Sequence, residues 1–298
     1  MKFDILEQED NDITLSPELA KAAKEELGET PAIRRQCLKE FREWIRREPR
    51  YSKGIRLDAN FLLRFLRFAK FEMSDTHVIF EKYIHARTNH PEWFTKLNSA
   101  EDDKIYNLIS RGYLFALPGK DEVGRTVIYS KACAMDASQF TSSDVIRVHI
   151  LFYESLLEEP ENQIYGLSYI LDERDTNWSH ISVWTPSEIT KAFACTEGAL
   201  PIRHRSVHLV YLPWTLMLVF HFAKNLLSHK LRRRLHLHPS FEELTKNERF
   251  FKKSLLPVEC GLTSELSMEK MISSFFLEKL DEVREPVLRL DEINSALV

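Results

Sequence analysis

The run Ser206-Val207-His208-Leu209-Val210-Tyr211-Leu212-Pro213-Trp214-Thr215-Leu216-Met217-Leu218-Val219-Phe220-His221-Phe222-Ala223 contains no Lys, Arg, Asp or Glu. Cations bracket it, with Arg203 and Arg205 upstream and Lys224, Lys230, Arg232, Arg233 and Arg234 downstream. The run just reaches the ~18 residues at which a membrane-spanning helix is considered. Pro213 divides it and His208 and His221 interrupt it, so spanning is not expected. Its two halves also have different periods. Residues 206–212 are rich in β-branched and aromatic side chains and read as a buried strand ending at the proline. From Pro213 onward a helix is expected, because proline suits a first helical position. Apolar groups from Trp214 to Ala223 surround nearly its whole circumference. Such a helix is buried, covers an apolar ligand or meets lipid. These residues alone leave an interior helix of an α/β domain as open as a lipid-meeting one.

The rest of the composition narrows the classes. At 298 residues the chain holds one large domain or two smaller ones. A hydrophobic content of 44% with 29% charged residues describes a soluble globular protein. A net charge of -4 argues against a nucleic-acid partner, for which a basic footprint is expected. Cys37, Cys133, Cys195 and Cys260 are far apart and make no metal-type pair. Met1-Lys2-Phe3-Asp4 lacks the apolar core of a signal peptide, so a reducing, cytosolic location is expected.

The first third reads as helical. Ser16-Pro17 and Thr30-Pro31 each place a capping side chain before a proline at the first helical position. Ile33, Cys37, Leu38, Phe41, Trp44 and Ile45 then recur at helical spacing, with Arg34, Arg35, Lys39, Arg42 and Arg46 largely off that stripe. A third helix is expected near Asp58, setting Phe61, Leu62, Phe65 and Leu66 against Arg64 and Arg67, and a fourth behind a Ser74 cap.

From about Gly112 short apolar runs alternate with helical stretches, the pattern of a mainly parallel sheet covered by helices. Strands are expected at Gly112 to Leu117, turned through Pro118-Gly119, at Thr126 to Ser130, at Ile164 to Leu171, and near Leu235 to His238. Helices are expected from Thr141, with Asp144 completing a capping box, from Ser187 to about Glu197, and from Ser228 as a basic helix. The expected division is a helical module over 1–95, an α/β domain over 96–265 and a helical tail over 266–298. No Gly-x-Ser-x-Gly elbow, phosphate-binding glycine loop or zincin motif is present, and His236 and His238 lack companions for a metal site. Catalysis, a metal and a cofactor are therefore not expected.

Asn60-Phe61-Leu62-Leu63-Arg64-Phe65-Leu66-Arg67-Phe68-Ala69-Lys70-Phe71, together with Gly124-Arg125 and Arg203-His204-Arg205-Ser206-Val207-His208-Leu209-Val210, resembles the CRAL-TRIO family. The likeness is strongest to the branch holding the α-tocopherol transfer protein and the cellular retinaldehyde-binding protein. It implies a helical N-terminal module followed by an α/β cage, whose apolar cavity is closed by a helix acting as a gate. The gate would fall on Pro213 to Ala223, with Trp214, Leu216, Val219 and Phe222 meeting the membrane.

The same resemblance gives the flanking cations a role in binding phosphoinositide headgroups. Arg203 and Arg205 alternate on a strand and share a face, while Lys230 and Arg234, four apart on a helix, share another. If the helix from Thr141 lines the cage as in relatives, His149 and Tyr153 lie one turn apart and can hydrogen-bond a ligand hydroxyl or carbonyl. Ile146, Leu167, Leu171, Trp184, Cys195, Leu200 and Ile202 would supply apolar wall. Two departures touch the ligand-facing edge: Asp175 stands where glycine is common, and Tyr211-Leu212-Pro213 replaces a frequent Asn-Glu-Pro. The expected function is a cytoplasmic, monomeric carrier of a hydrophobic small molecule that exchanges cargo at phosphoinositide-bearing membranes. The alternatives are a phospholipid-transfer protein and a phosphoinositide-reading scaffold without cargo.

Overall fold

The computed structural model describes residues 13–51, 54–246 and 250–296; the Met1 to Asp4 segment read above lies outside them. Four main helices open the chain: α1 (Pro17–Leu27), α2 (Pro31–Arg47), α3 (Ala59–Phe68) and α4 (Met73–Asn89). Ser16, Thr30 and Asp58 cap the first three by accepting the Leu19, Ile33 and Phe61 amides at 3.2, 3.2 and 3.0 Å. The fourth differs from expectation. It starts at Met73 behind Glu72, which makes no side-chain cap bond, and Ser74 lies inside it. Short helices α5 (Pro91–Phe94) and α6 (Asp103–Ser110) lead to the sheet.

The sheet carries five strands in the order β1 (Leu114–Lys120), β2 (Thr126–Lys131), β3 (Leu167–Asp172), β4 (His204–Val210) and β5 (Leu235–His238). Strand β1 runs antiparallel to β2 and every other pair is parallel, as the alternation of elements requires. The crossovers carry α7 (Ser142–Leu156) and α8 (Pro160–Tyr165) before β3, then α9 (Trp178–Ser182) and α10 (Pro186–Thr196) before β4. A 3₁₀ turn (Trp214–Leu216), α11 (Met217–Leu226) and α12 (His229–Arg232) precede β5, and α13 (Phe241–Lys246) follows it. The tail comprises α14 (Met268–Met271), a π-helical turn (Ile272–Phe276), α15 (Leu277–Glu282), α16 (Arg284–Leu288) and α17 (Asp291–Ala296). Thr141 and Asp144 form the expected capping box at the start of α7.

Several boundaries move for identifiable reasons. Strand β1 does not turn at Pro118-Gly119; it continues to Lys120 through an irregularity in register, a place where proline's missing N–H costs no ladder bond. The hairpin instead turns at Asp121, whose Oδ1 accepts the Val123 and Arg125 amides at 3.0 and 2.9 Å. Residues 164–166 are not strand, because Pro160 starts a helical turn that ends at Gly166 with φ +79°. Strand β4 stops two residues before Leu212, since Tyr211 takes φ +60°. The basic helix from Ser228 is a single turn, so Arg234 lies beyond it.

The largest correction concerns charge. Arg34, Arg42, Arg64 and Arg67, expected on the polar side of their helices, are buried. Each finds partners on another element. Arg64 pairs with Glu154 at 2.7 Å and Glu158 at 2.8 Å on and just after α7, and Arg67 with Glu29 at 2.9 Å. Arg67 also donates to Gln163 Oε1 at 2.8 Å on α8. Arg34 pairs with Glu29 at 3.2 Å, and Arg42 donates to the Leu57 carbonyl at 2.9 Å. Arg34 and Arg42 tie the N-terminal helices to one another, while Arg64 and Arg67 fasten them to the helices that precede β3, where α1 packs against α8.

Candidate functional site

Gly166 is where the site begins. A Cβ there would sit 2.3 Å from the Arg203 carbonyl oxygen and 2.9 Å from the Arg203 Cβ. Only glycine lets the turn before β3 approach the backbone that carries Arg203 and Arg205. Both arginines are only slightly exposed. Arg205 Nε donates to the Tyr165 carbonyl at 2.8 Å, and Arg203 donates to the Arg67 carbonyl at 3.2 Å. Glu26 of α1 accepts from both, at 3.0 Å from Arg203 and closer still to Arg205.

Lys230 and Arg234 face the same place from the far side of the gate segment. Arg234 donates to the His204 carbonyl. Lys230 has no carboxylate partner among the described residues. Burial lowers its pKa, as do the charges of Arg234, Arg203, Arg205 and Lys70. The Arg203 pKa is pushed down to about 10 by burial and by Arg234, and Arg205 moves the same way. Burial and the charge of Arg125 lower Arg234. The structure thus gathers all four sequence-predicted cations, and Lys70 and Arg125 stand within electrostatic reach of them. Lys70 lies just past α3 with φ +54°, inside the motif that carried the family resemblance, where sequence reasoning gave it no role.

Between these cations lies the predicted gate. Trp214 is 84% exposed, Leu218 79% and Phe222 41%, while Leu216 is buried at 3%. Val219 is half-buried. Leu218 and Phe222, four apart on α11, share one face, and Trp214 stands exposed in the 3₁₀ turn just before it, so the three make an apolar ridge at the start of the gate. A contiguous exposed apolar ridge marks a contact surface. No helix among the described residues is long and apolar enough to cross a membrane.

Of the predicted wall residues, Ile146, Leu167, Cys195, Leu200 and Ile202 are buried in the main core, and Leu171 and Trp184 are half-buried against it. His149 and Tyr153 do lie together, with ring centroids 6.0 Å apart. His149 Nε2 hydrogen-bonds the Tyr113 hydroxyl at 3.2 Å, and His204 Nδ1 bonds Tyr169 at 2.6 Å, with the Tyr153 ring 6.2 Å from His204. Burial pushes both histidines down to about 4, so both are neutral at pH 7. Both side chains are half-buried. Burial also raises the Glu173 carboxyl at the C-terminal end of β3. Sequence reasoning assigned no role to Tyr113, Tyr169, Glu173 or His204. For His204 the signal was present: it sits between Arg203 and Arg205, so strand alternation turns it to the opposite, inner face. The four cysteines are free, and no three His, Cys, Asp or Glu side chains among the described residues could hold a metal.

The site thus belongs to a mixed α/β domain: a helical module clasped to a mainly parallel sheet, with a basic cluster beside exposed apolar side chains. The chain belongs to the CRAL/TRIO family, whose CRAL/TRIO domain matches residues 110–261. Residues 30–103 match a Pinta-like UBA domain. Clavesin-1 of Pongo abelii is 31% identical over 249 residues, spanning 84% of this chain and 69% of its own. Clavesin-2 of Homo sapiens is 29% identical over 247 residues, spanning 83% and 74%. The crystal structure of Sfh5 superposes with a TM-score of 0.58 at 11% identity, covering 86% of this chain and 98% of that one. At that identity the likeness speaks for the fold alone.

Proposed function

We propose that this protein carries a hydrophobic small molecule, of the tocopherol, retinoid or other isoprenoid kind, and exchanges it at phosphoinositide-bearing membranes reached from the cytoplasm. The observation that carries this reading is the convergence of Arg203, Arg205, Lys230 and Arg234 beside the Trp214, Leu218 and Phe222 ridge. Each cation near an anionic surface contributes about 1 kcal/mol. Each large apolar side chain inserted into the acyl region adds about 2 kcal/mol. Two such signals give reversible docking without permanent anchoring. Inside, the neutral His149 and His204 and the tyrosines offer hydrogen bonds but no fixed positive charge. This favours cargo with an uncharged hydroxyl or carbonyl over a phospholipid headgroup, because an unpaired buried charge is costly.

The double variant Arg203→Glu/Arg205→Glu tests the docking role. Sedimentation with phosphatidylcholine vesicles containing a small fraction of phosphoinositide should show binding falling at least about tenfold, the loss of several charge contacts, while cargo occupancy stays near that of the parent. Equal vesicle binding by the variant would remove these residues from the docking surface.

A further inference from the structure

Among the described residues, the carboxylate that pairs with Arg203 and Arg205 comes from the helical module. Glu26 Oε2 touches both Arg203 and Arg205, at 3.0 Å and closer, and so stands where one oxygen of an incoming phosphate would bridge the same two guanidiniums. Lys230 has no carboxylate partner among the described residues, and burial first, then the charges of Arg234, Arg203, Arg205 and Lys70, lower its pKa. A single −1 group thus bridges two guanidiniums and makes no ion pair with Lys230 among the described residues. A phosphate ester carries up to about two charges and three acceptor oxygens, so it satisfies the same arginines better and reaches Lys230 as well.

Glu26 is also placed to leave. It lies on the last turn of α1, is one-third exposed, and is followed by Gly28 at φ +73°. Glu29, three residues on, is by contrast buried and fixed by Arg34 and Arg67 at 3.2 and 2.9 Å, so the chain beyond Gly28 is anchored independently.

From this geometry we propose that Glu26 is an internal competitor for the headgroup site: a membrane phosphoinositide displaces its carboxylate from Arg203 and Arg205 and frees the end of α1. Resting on the headgroup reading above, the proposal adds a specificity element, since a weakly charged anion cannot outbid a tethered carboxylate whereas a phosphorylated headgroup can.

Vesicle sedimentation of the full chain with phosphatidylcholine alone, with phosphatidylserine added, and with a phosphoinositide added tests it. Glu26→Gln should bind phosphoinositide vesicles about fivefold more tightly than the parent, the upper end of what a partly exposed ion pair contributes. It should also gain binding to phosphatidylserine vesicles that the parent binds poorly. A second measurement needs no variant: hydrogen exchange of the α1 amides in the parent should quicken when phosphoinositide vesicles are added. Soluble inositol polyphosphate should quicken it too if the phosphates alone suffice, and only vesicles should do so if bilayer contact is required. Unchanged or weaker binding by Glu26→Gln, or α1 exchange that is unchanged or slowed on docking, would overturn the competitor role. If Arg203→Glu/Arg205→Glu still loses binding, the headgroup site stands without it; if that variant binds normally, both fall.

Discussion

Gly166 shows how a single residue without a side chain sets the basic site. Its φ of +79° and the 2.3 Å approach to the Arg203 carbonyl leave no room for a methyl group. Gly166→Ala should lower stability by about 2–4 kcal/mol, combining backbone strain with displacement of β4. Urea denaturation reads this directly, and a loss below 0.5 kcal/mol, the size of an ordinary surface substitution, would show that the turn relaxes freely. The two departures noted in the sequence fall on similar backbone. Asp175 adopts φ +62°, a conformation aspartate tolerates better than most residues, whereas Tyr211 at φ +60° is a bulky side chain in a region that disfavours it. Tyr211 is held by its amide bond to the His238 carbonyl at 3.1 Å and by the Phe241 ring at 5.5 Å. Sequence comparison could locate these positions because glycine and asparagine are the residues that ordinarily occupy left-handed backbone. It could not reveal Glu26, a polar residue on a helix whose partners lie 177 and 179 residues away.

At the scale of elements, the change of period within residues 206–223 was legible and mostly correct: a strand, a proline, then a helix. What periodicity left open was which side faces out, because a helix apolar around its circumference has no polar face to orient it. The structure resolves this into the ridge of Trp214, Leu218 and Phe222, with Leu216 turned inward. Leu218→Asp places a charge at the most exposed point of α11 itself. It should slow cargo exchange with vesicles several-fold while changing the melting temperature little, since the side chain packs against little. Unaltered exchange, followed by fluorescence of a labelled lipid, would place the membrane contact elsewhere. Cap positions were equally readable at Ser16, Thr30, Asp58 and Thr141, where a short side chain meets a helix start. Ser74 failed as a cap because a residue of the same type also fits inside a first turn.

At the scale of the whole molecule, the fold class was legible from the alternation of apolar runs and helices, which dictates a mainly parallel sheet. The clasp between its parts was not. Arg64 and Arg67 read as the polar edge of a helix, yet both are buried and reach Glu154, Glu158, Glu29 and Gln163. Amphipathic reasoning assigns charges to solvent and is blind to carboxylates distant in sequence. The consequence for function is that Arg67, which also reaches α8, fixes Glu29 just past α1 and so sets the end of α1, with Glu26, beside Arg203 and Arg205. The central claim is that this assembly encloses an apolar cargo with an uncharged polar end. Organic extraction of the protein purified from its native tissue, followed by mass spectrometry, tests it most directly. The account predicts one apolar compound of the isoprenoid kind, bearing a hydroxyl or carbonyl, in stoichiometric amount. Folded protein that yields no such compound, or that yields a phospholipid instead, would contradict it.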